Sequence, residues 1–357
     1  MRDRSIDVGR GLLVILMVYC HVLQFFGDAQ LFAIEHDLMN AINLTVFPSF
    51  VFYFGATAAM AYLNKPYLSA LPGMVRTCLR AYAAFVLSGV GYRVLREGKP
   101  LAVGTARRVL QLTDIPGWSE FLIAFALYAL LLIVGYAVFD WLSRKPLACL
   151  FAGVLCIACC ELVPYGSVPT RLALLIGGRD FSYFPIVQYL PYFLAGMVYA
   201  RGSRRTKAGL LVLAVLCSAA GAAYWKLFGF PNRFPPSWGW ILLPGALVAA
   251  VVLVGRLICA LPDFGVRAVE SVIRLPERLL AGLGGASLYM LLASNLVIFT
   301  FAGRGVVPVL SAKSVIPWSM PIQSPQGAAL WTAVLLIGLA FVAALAGRGG
   351  QKGRKSA

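Results

Sequence analysis

A chain of 357 residues that is 60% hydrophobic and 13% charged is too apolar for a soluble domain, where the apolar share is about 45 to 50%. Its net charge of +17 would suit nucleic acid in a soluble protein, but here the basic residues flank apolar runs as membrane topology requires, so nucleic acid is set aside as a partner. The runs are long enough to cross a bilayer as helices of about 20 residues, and none alternates with the period of two that a barrel strand needs.

The first run, 11–27, is followed by acidic residues rather than a small-residue cleavage site, and is read as a span instead of a signal peptide. It belongs to the stretch SIDVGRGLLVILMVYCHVLQFF, residues 5–26. On a helix His21 returns to within roughly 20° of the face of Arg10, about 16 Å further along the axis. Asp7, Arg10, Val14, Met17 and His21 thus form one stripe. Exposing an ionisable group to hydrocarbon costs roughly 2.5 to 3.5 kcal/mol on insertion scales, so this stripe needs a partner. Taken singly, Arg10 is an ordinary anchor at the membrane edge and His21 an ordinary packing residue. Aligned, a rim cation and a base three turns deeper point to a site.

Nine further runs follow, near 43–63, 76–92, 119–139, 147–163, 184–200, 208–228, 239–261, 282–301 and 326–346. The expectation is an all-α polytopic membrane protein of about ten transmembrane helices with no separate soluble domain. Residues 1–347 would form the membrane domain and 348–357 a basic, glycine-rich, disordered cytoplasmic tail. With the N-terminus inside, most of the 31 basic residues fall on inner segments, which puts both termini in the cytoplasm.

Arg93, Arg96, Lys99, Arg107 and Arg108 break that pattern, because they fall in a loop placed outside. Either residues 101–112 cross or dip into the bilayer, or the outer face carries a basic patch that would draw an anionic partner; residues 105–112 are too few to span and predict an amphipathic interfacial helix. His36, between Glu35 and Asp37, is expected in a solvated outer loop. Arg76 and Arg80 open the third run at its inner end, whereas Glu120 opens the fourth on the outer side. All eight cysteines lie in or beside apolar runs. Cys156, Cys159 and Cys160 have metal-like spacing but no partner His or second pair nearby, so no metal and no disulfide framework is expected.

Asp7-Val-Gly-Arg10-Gly-Leu, then ten residues from Arg10 to His21, resembles the first-helix signature of the acyltransferase-3 family of integral membrane proteins. Pro48-Ser-Phe-Val-Phe-Tyr-Phe-Gly55 resembles that family's aromatic second helix, and Arg76-Thr-Cys-Leu-Arg80-Ala-Tyr82 the start of its third. Pro191-Tyr-Phe-Leu-Ala-Gly196-Met and Leu283-Gly-Gly-Ala-Ser287-Leu-Tyr289 are looser landmarks. Many members carry a His soon after the last element, where this chain has Ala293-Ser294-Asn295, so no role is carried over from it.

The resemblance implies a membrane acyltransferase that moves an acyl group, acetyl above all, from acetyl-CoA or another acyl-CoA to a hydroxyl of a cell-surface carbohydrate or glycolipid. It would reside in the cytoplasmic membrane of a bacterial cell. The reactive arm of such a donor is on the order of 15 to 20 Å long, which matches the separation of Arg10 and His21. Arg10, Arg76 and Arg80 would hold phosphates, and His21 would deprotonate the acceptor or take the acyl group itself. Asp7 would orient Arg10, and Glu120 would position the acceptor hydroxyl. Succinylation and amino-sugar N-acetylation remain open within the same chemistry. The alternative of another class is a proton-coupled transporter or flippase of an anionic or glycolipid substrate, with His21 as a proton relay. Against it, the sequence displays no inverted repeat and no Gly/Pro-broken helix pair in matching positions of the two halves.

Overall fold

The structure, a computed structural model, describes residues 3–179, 184–261, 270–303 and 322–354. In chain order the helices are α1 (Arg4–Phe26), α2 (Ala29–Ala61), α3 (Tyr67–Gly91), α4 (Val103–Leu110), α5 (Glu120–Val134), α6 (Tyr136–Ser143), α7 (Pro146–Leu162) and α8 (Thr170–Ile176). They continue as α9 (Ile186–Arg201), α10 (Arg204–Phe228), α11 (Trp238–Leu242), α12 (Gly245–Ala260), α13 (Glu270–Gly285), α14 (Ser287–Ala302) and α15 (Pro325–Arg354). A π-helical turn, Tyr92–Arg96, prolongs α3. Among the described residues no strand forms, and the only β contacts are isolated bridges, Gly27 with Ile322 and Arg233 with Pro236.

Each expected apolar run is helical. Among the described residues, five helical segments, with α11 and α12 counted together, are long and apolar enough to cross a membrane, and seven if the bent pairs α5/α6 and α13/α14 each count as one span. The shorter or less apolar α3, α7 and α9 carry the remaining runs. Three local readings change. The expected outer loop after the first span is helix, because Asp28 caps α2 by accepting from the Leu31 amide at 2.8 Å and the helix then runs for 33 residues. His36 therefore rides on that helix, exposed, with Nδ1 3.3 Å from Asp37 Oδ1. The run at 282–301 is broken at Ala286, where α13 and α14 meet at 77°. A second break, of 91°, separates α5 from α6 at Gly135. Helix α15 ends at Arg354. Arg2, Arg267 and Lys355, counted in the topology above, lie outside the described residues.

The chain divides into two compact units, and neither is continuous in sequence. The first comprises 1–42, 91–101 and 258–357. In it α1 packs on α13, α14 and α15. Gly11 and Gly284 sit at the α1/α13 crossing, where a methyl on Gly11 would fall on the Leu280 carbonyl and one on Gly284 on the Asp7 carbonyl, so the backbones touch. At the other end of α1, Phe25 meets Phe299 of α14 edge-on, and Tyr92 of the π turn meets Phe299 likewise. Part of the expected basic loop is neutralised here: Arg93 and Lys99 both pair with Glu97, and Arg96 lies over the Phe25 ring.

The second unit comprises 43–90 and 102–257. Its crossing of α2 with α9 is again built on glycine: a methyl on Gly55 would meet the Phe193 carbonyl and one on Gly196 the Phe52 carbonyl. The Pro48–Gly55 and Pro191–Gly196 segments singled out in the sequence are thus two sides of one contact. Around it Phe47, Phe50, Phe121, Phe125 and Phe184 stack in an aromatic core. Arg201 ties the end of α9 to Asp140 at 2.7 Å, Ser143 at 2.6 Å and Asn64 at 2.9 Å. Helix α4 is the predicted short amphipathic segment, with Thr105 and Val109 buried and Arg107 and Arg108 exposed.

Candidate active site

Helix α1 starts on Asp3, whose side chain accepts from the Ser5 amide at 3.0 Å, with Asp7 in its first turn, where a carboxylate favours the helix dipole. From that start the stripe foreseen in the sequence faces α13 and α14. Arg10 Nη2 donates to Ser287 Oγ on the first turn of α14. Further along, His21 Nδ1 meets Asn295 Oδ1 at 3.0 Å. Both partners are almost wholly buried, Ser287 at 3% exposure and Asn295 at 2%. Ser287 and Asn295 are eight residues apart, about 12 Å along a helix, so α14 runs in the same direction as α1 and matches both polar groups.

The hydrogen bond fixes the imidazole. An amide oxygen only accepts, so Nδ1 carries the proton and the basic lone pair lies on Nε2. Asp7 is buried where α1 crosses α13. On the same side, Arg4 Nη1 pairs with Glu277 at 3.2 Å, and an open groove of about 970 Å³ runs past Arg4, Asp7, Arg274, Glu277 and Arg278.

The remaining expected residues lie in the second unit. Arg76 and Arg80 sit exposed on α3, one turn apart. Glu120 opens α5 directly after Ser119, which donates to Ser88 Oγ at 3.0 Å. Its Oε2 is buried with no hydrogen-bond partner among the described residues, in the field of Arg233. The Arg233 guanidinium lies over the rings of Phe184 at 5.3 Å and Phe234 at 4.7 Å.

Of the expected set, Asp7, Arg10 and His21 are brought together in the first unit. Sequence reasoning missed the partners. In the sequence Ser287 figures only within a landmark, and Asn295 only in the segment that stands where many relatives carry a histidine. Arg274 and Arg278 count in the sequence only among the inner-segment basic residues, although their i, i+4 spacing is visible there.

Residues 2–214 match the family model described as heparan-alpha-glucosaminide N-acetyltransferase, catalytic. None of the curated proteins and none of the solved structures compared with the chain matches it. The match takes in Asp7, Arg10, His21, Arg76, Arg80 and Glu120 and stops ahead of α13 and α14. It meets the expectation from the first-helix motif at the level of a membrane acetyltransferase, in a family other than acyltransferase-3. With more than half its length matched and its helices built to cross a bilayer, the chain belongs to the heparan-alpha-glucosaminide N-acetyltransferase catalytic-domain family of membrane-embedded acetyltransferases.

Proposed function

We propose that the chain transfers an acetyl group from acetyl-CoA, entering at the Arg10 end of α1, to an amine of an amino sugar on a carbohydrate or glycolipid. The observation that carries the reading is the double attachment of the α1 stripe to α14: Arg10 on Ser287 and His21 on Asn295, about 16 Å apart along α1. That is the separation a donor with phosphates at one end and a thioester at the other requires. The family description, which names a glucosaminide N-acetyltransferase, favours nitrogen over the hydroxyl acceptor expected from the first-helix motif.

In the reaction, the acceptor nitrogen attacks the thioester carbonyl, the C–N bond forms, the C–S bond breaks, and coenzyme A leaves as thiolate. The proton lost from nitrogen goes to His21 Nε2 and is passed to the thiolate. Asn295 holds the ring in the tautomer that makes Nε2 the base. Arg10, positioned by Asp7 and Ser287, steadies the donor's polar portion. The protein sits in the cytoplasmic membrane with both termini in the cytoplasm.

The test is transfer of radiolabelled acetyl from coenzyme A to a glucosamine-terminated glycan, beside the same glycan already N-acetylated. Label in the first alone, reduced about 10²- to 10⁴-fold by His21→Ala, supports the scheme. Label in both points to a hydroxyl acceptor. The two sharply bent helix pairs favour a second reading, transport, because discontinuous helices build transporter sites. Counterflow of substrate without covalent label would establish it and sink the enzyme.

A further inference from the structure

Beyond His21 the first unit repeats its polar pairing in aromatic form. Phe25 stands one turn past His21 on α1 and Phe299 one turn past Asn295 on α14, a rise of about 6 Å on each helix, and the two rings meet edge-on at 5.8 Å. Phe299 is fully buried, whereas Phe25 is half-buried. The layer of His21 and Asn295 is thus followed by an aromatic layer on the side away from Arg10.

The π turn Tyr92–Arg96 adds a third wall. It is seated on the end of α14, where a methyl on Gly303 would fall on the Leu95 carbonyl, so the two backbones touch. The turn closes where the Glu97 amide donates to the Tyr92 carbonyl at 3.1 Å, and turns of this widened kind recur at functional sites. It sets Tyr92 edge-on to Phe299 at 5.2 Å and places the Arg96 guanidinium over Phe25, 5.7 Å from the ring centre. The cations at the turn differ in what they meet. Arg93 and Lys99 both pair with Glu97, whereas Arg96, half-buried, forms no salt bridge among the described residues and rests on a ring. A guanidinium over an aromatic face keeps N–H donors around its rim for oxygen acceptors.

We infer that Arg96 binds the acceptor sugar: with the reacting amine at His21 Nε2, hydroxyl oxygens on the opposite rim of the sugar ring accept from the Arg96 guanidinium. The step of about 6 Å from His21 to Phe25 is close to the width of one sugar ring, so a single residue of the acceptor reaches from the base to the cation. The donor comes from the other direction, because Arg10 lies about 16 Å the other way along α1, and the thioester end of the donor then meets the amine at His21. The inference rests on the acetyltransferase reading and adds a residue that selects a sugar over a simple amine.

The experiment is steady-state kinetics on the full chain in nanodiscs, varying acetyl-CoA and a glucosamine-terminated glycan in turn. Arg96→Gln should raise the KM for the glycan about 10- to 100-fold, the worth of a hydrogen bond from a charged group, and leave the KM for acetyl-CoA within about twofold of wild type. Arg96→Lys keeps the charge without the planar fork and should recover only part of the loss. Phe25→Leu takes away the ring beneath the guanidinium while keeping apolar bulk; it should shift the same constant in the same direction, and it supplies the answer should Arg96→Gln fail to accumulate. Lys99→Gln removes an equal charge three residues on and should leave both constants at wild-type values. An equal rise in the glycan KM for Lys99→Gln would mean diffuse attraction by the basic loop and would overturn the assignment. So would a rise in the KM for acetyl-CoA as large as that for the glycan in the Arg96 variants, since a structural role does not distinguish the two substrates. Wild type that labels no glycan fails the reading beneath, whereas active wild type whose glycan KM is unmoved by Arg96→Gln fails this inference alone.

Discussion

At the scale of single residues, the proposed scheme turns on what holds the imidazole and the guanidinium of α1. Asn295→Ala removes the acceptor at Nδ1 and lets the ring take either tautomer, so kcat should fall about tenfold with KM for acetyl-CoA nearly unchanged. Asn295→Asp keeps an acceptor there and should retain more activity than the alanine variant. Ser287→Ala deletes the partner of Arg10 and should act on the donor instead, raising its KM by about tenfold, the equivalent of about 1.4 kcal/mol. Steady-state kinetics on the four proteins, wild type included, check both. A fall in kcat for Ser287→Ala equal to that for Asn295→Ala would dissolve the division of labour along the stripe.

At the scale of elements, two glycine pairs set how closely helices approach. Gly11→Ala or Gly284→Ala drives a methyl into a backbone carbonyl, which a flexible side chain cannot relieve. Each should cost about 1 to 3 kcal/mol, read as a lower unfolding temperature in detergent. Because the same crossing sets the register of Arg10 on Ser287, activity should fall with it. Gly55→Ala, at the corresponding crossing of α2 and α9, should destabilise by a similar amount. Gly338→Ala on α15 meets nothing within 4 Å and should change stability by no more than about 0.5 kcal/mol. The break at Ala286 belongs to this scale too. A continuous helix through 282–301 would carry the axis of α13 straight on, and the 77° turn is what lets one segment cross α1 at Gly11 while the next runs alongside it.

At the scale of the whole molecule, the first unit is assembled from both ends of the sequence. The family match ends at 214, so it contains the stripe and none of α13 or α14. A chain ended at 257 would keep all the matched residues yet leave Asp7, Arg10 and His21 without the helices that cover them, at the insertion cost of exposed polar groups. It should show no acetyl transfer and be degraded in cells, as immunoblots of membranes would report. Co-expression of residues 258–357 as a separate piece should restore part of both, because α1 and α13 meet backbone to backbone without needing the intervening chain. Full activity of the shortened chain would show that the site lies elsewhere.

Composition, run length and helical periodicity by themselves determined the membrane, the all-α class, the ten helical runs and the shared face of Asp7, Arg10 and His21, because each is a property of contiguous residues. They also yielded the short amphipathic α4. The tertiary structure alone decided what that face meets. Ser287 and Asn295 lie more than 270 residues from their partners, and no local rule joins them. Nor does hydropathy register a break such as the one at Ala286, since Leu283-Gly-Gly-Ala-Ser287 reads as apolar whether straight or bent. The groove escaped notice for a related reason: Arg274 and Arg278 have the composition of a membrane-edge anchor, and only the packing of α1 against α13 turns that edge into a groove.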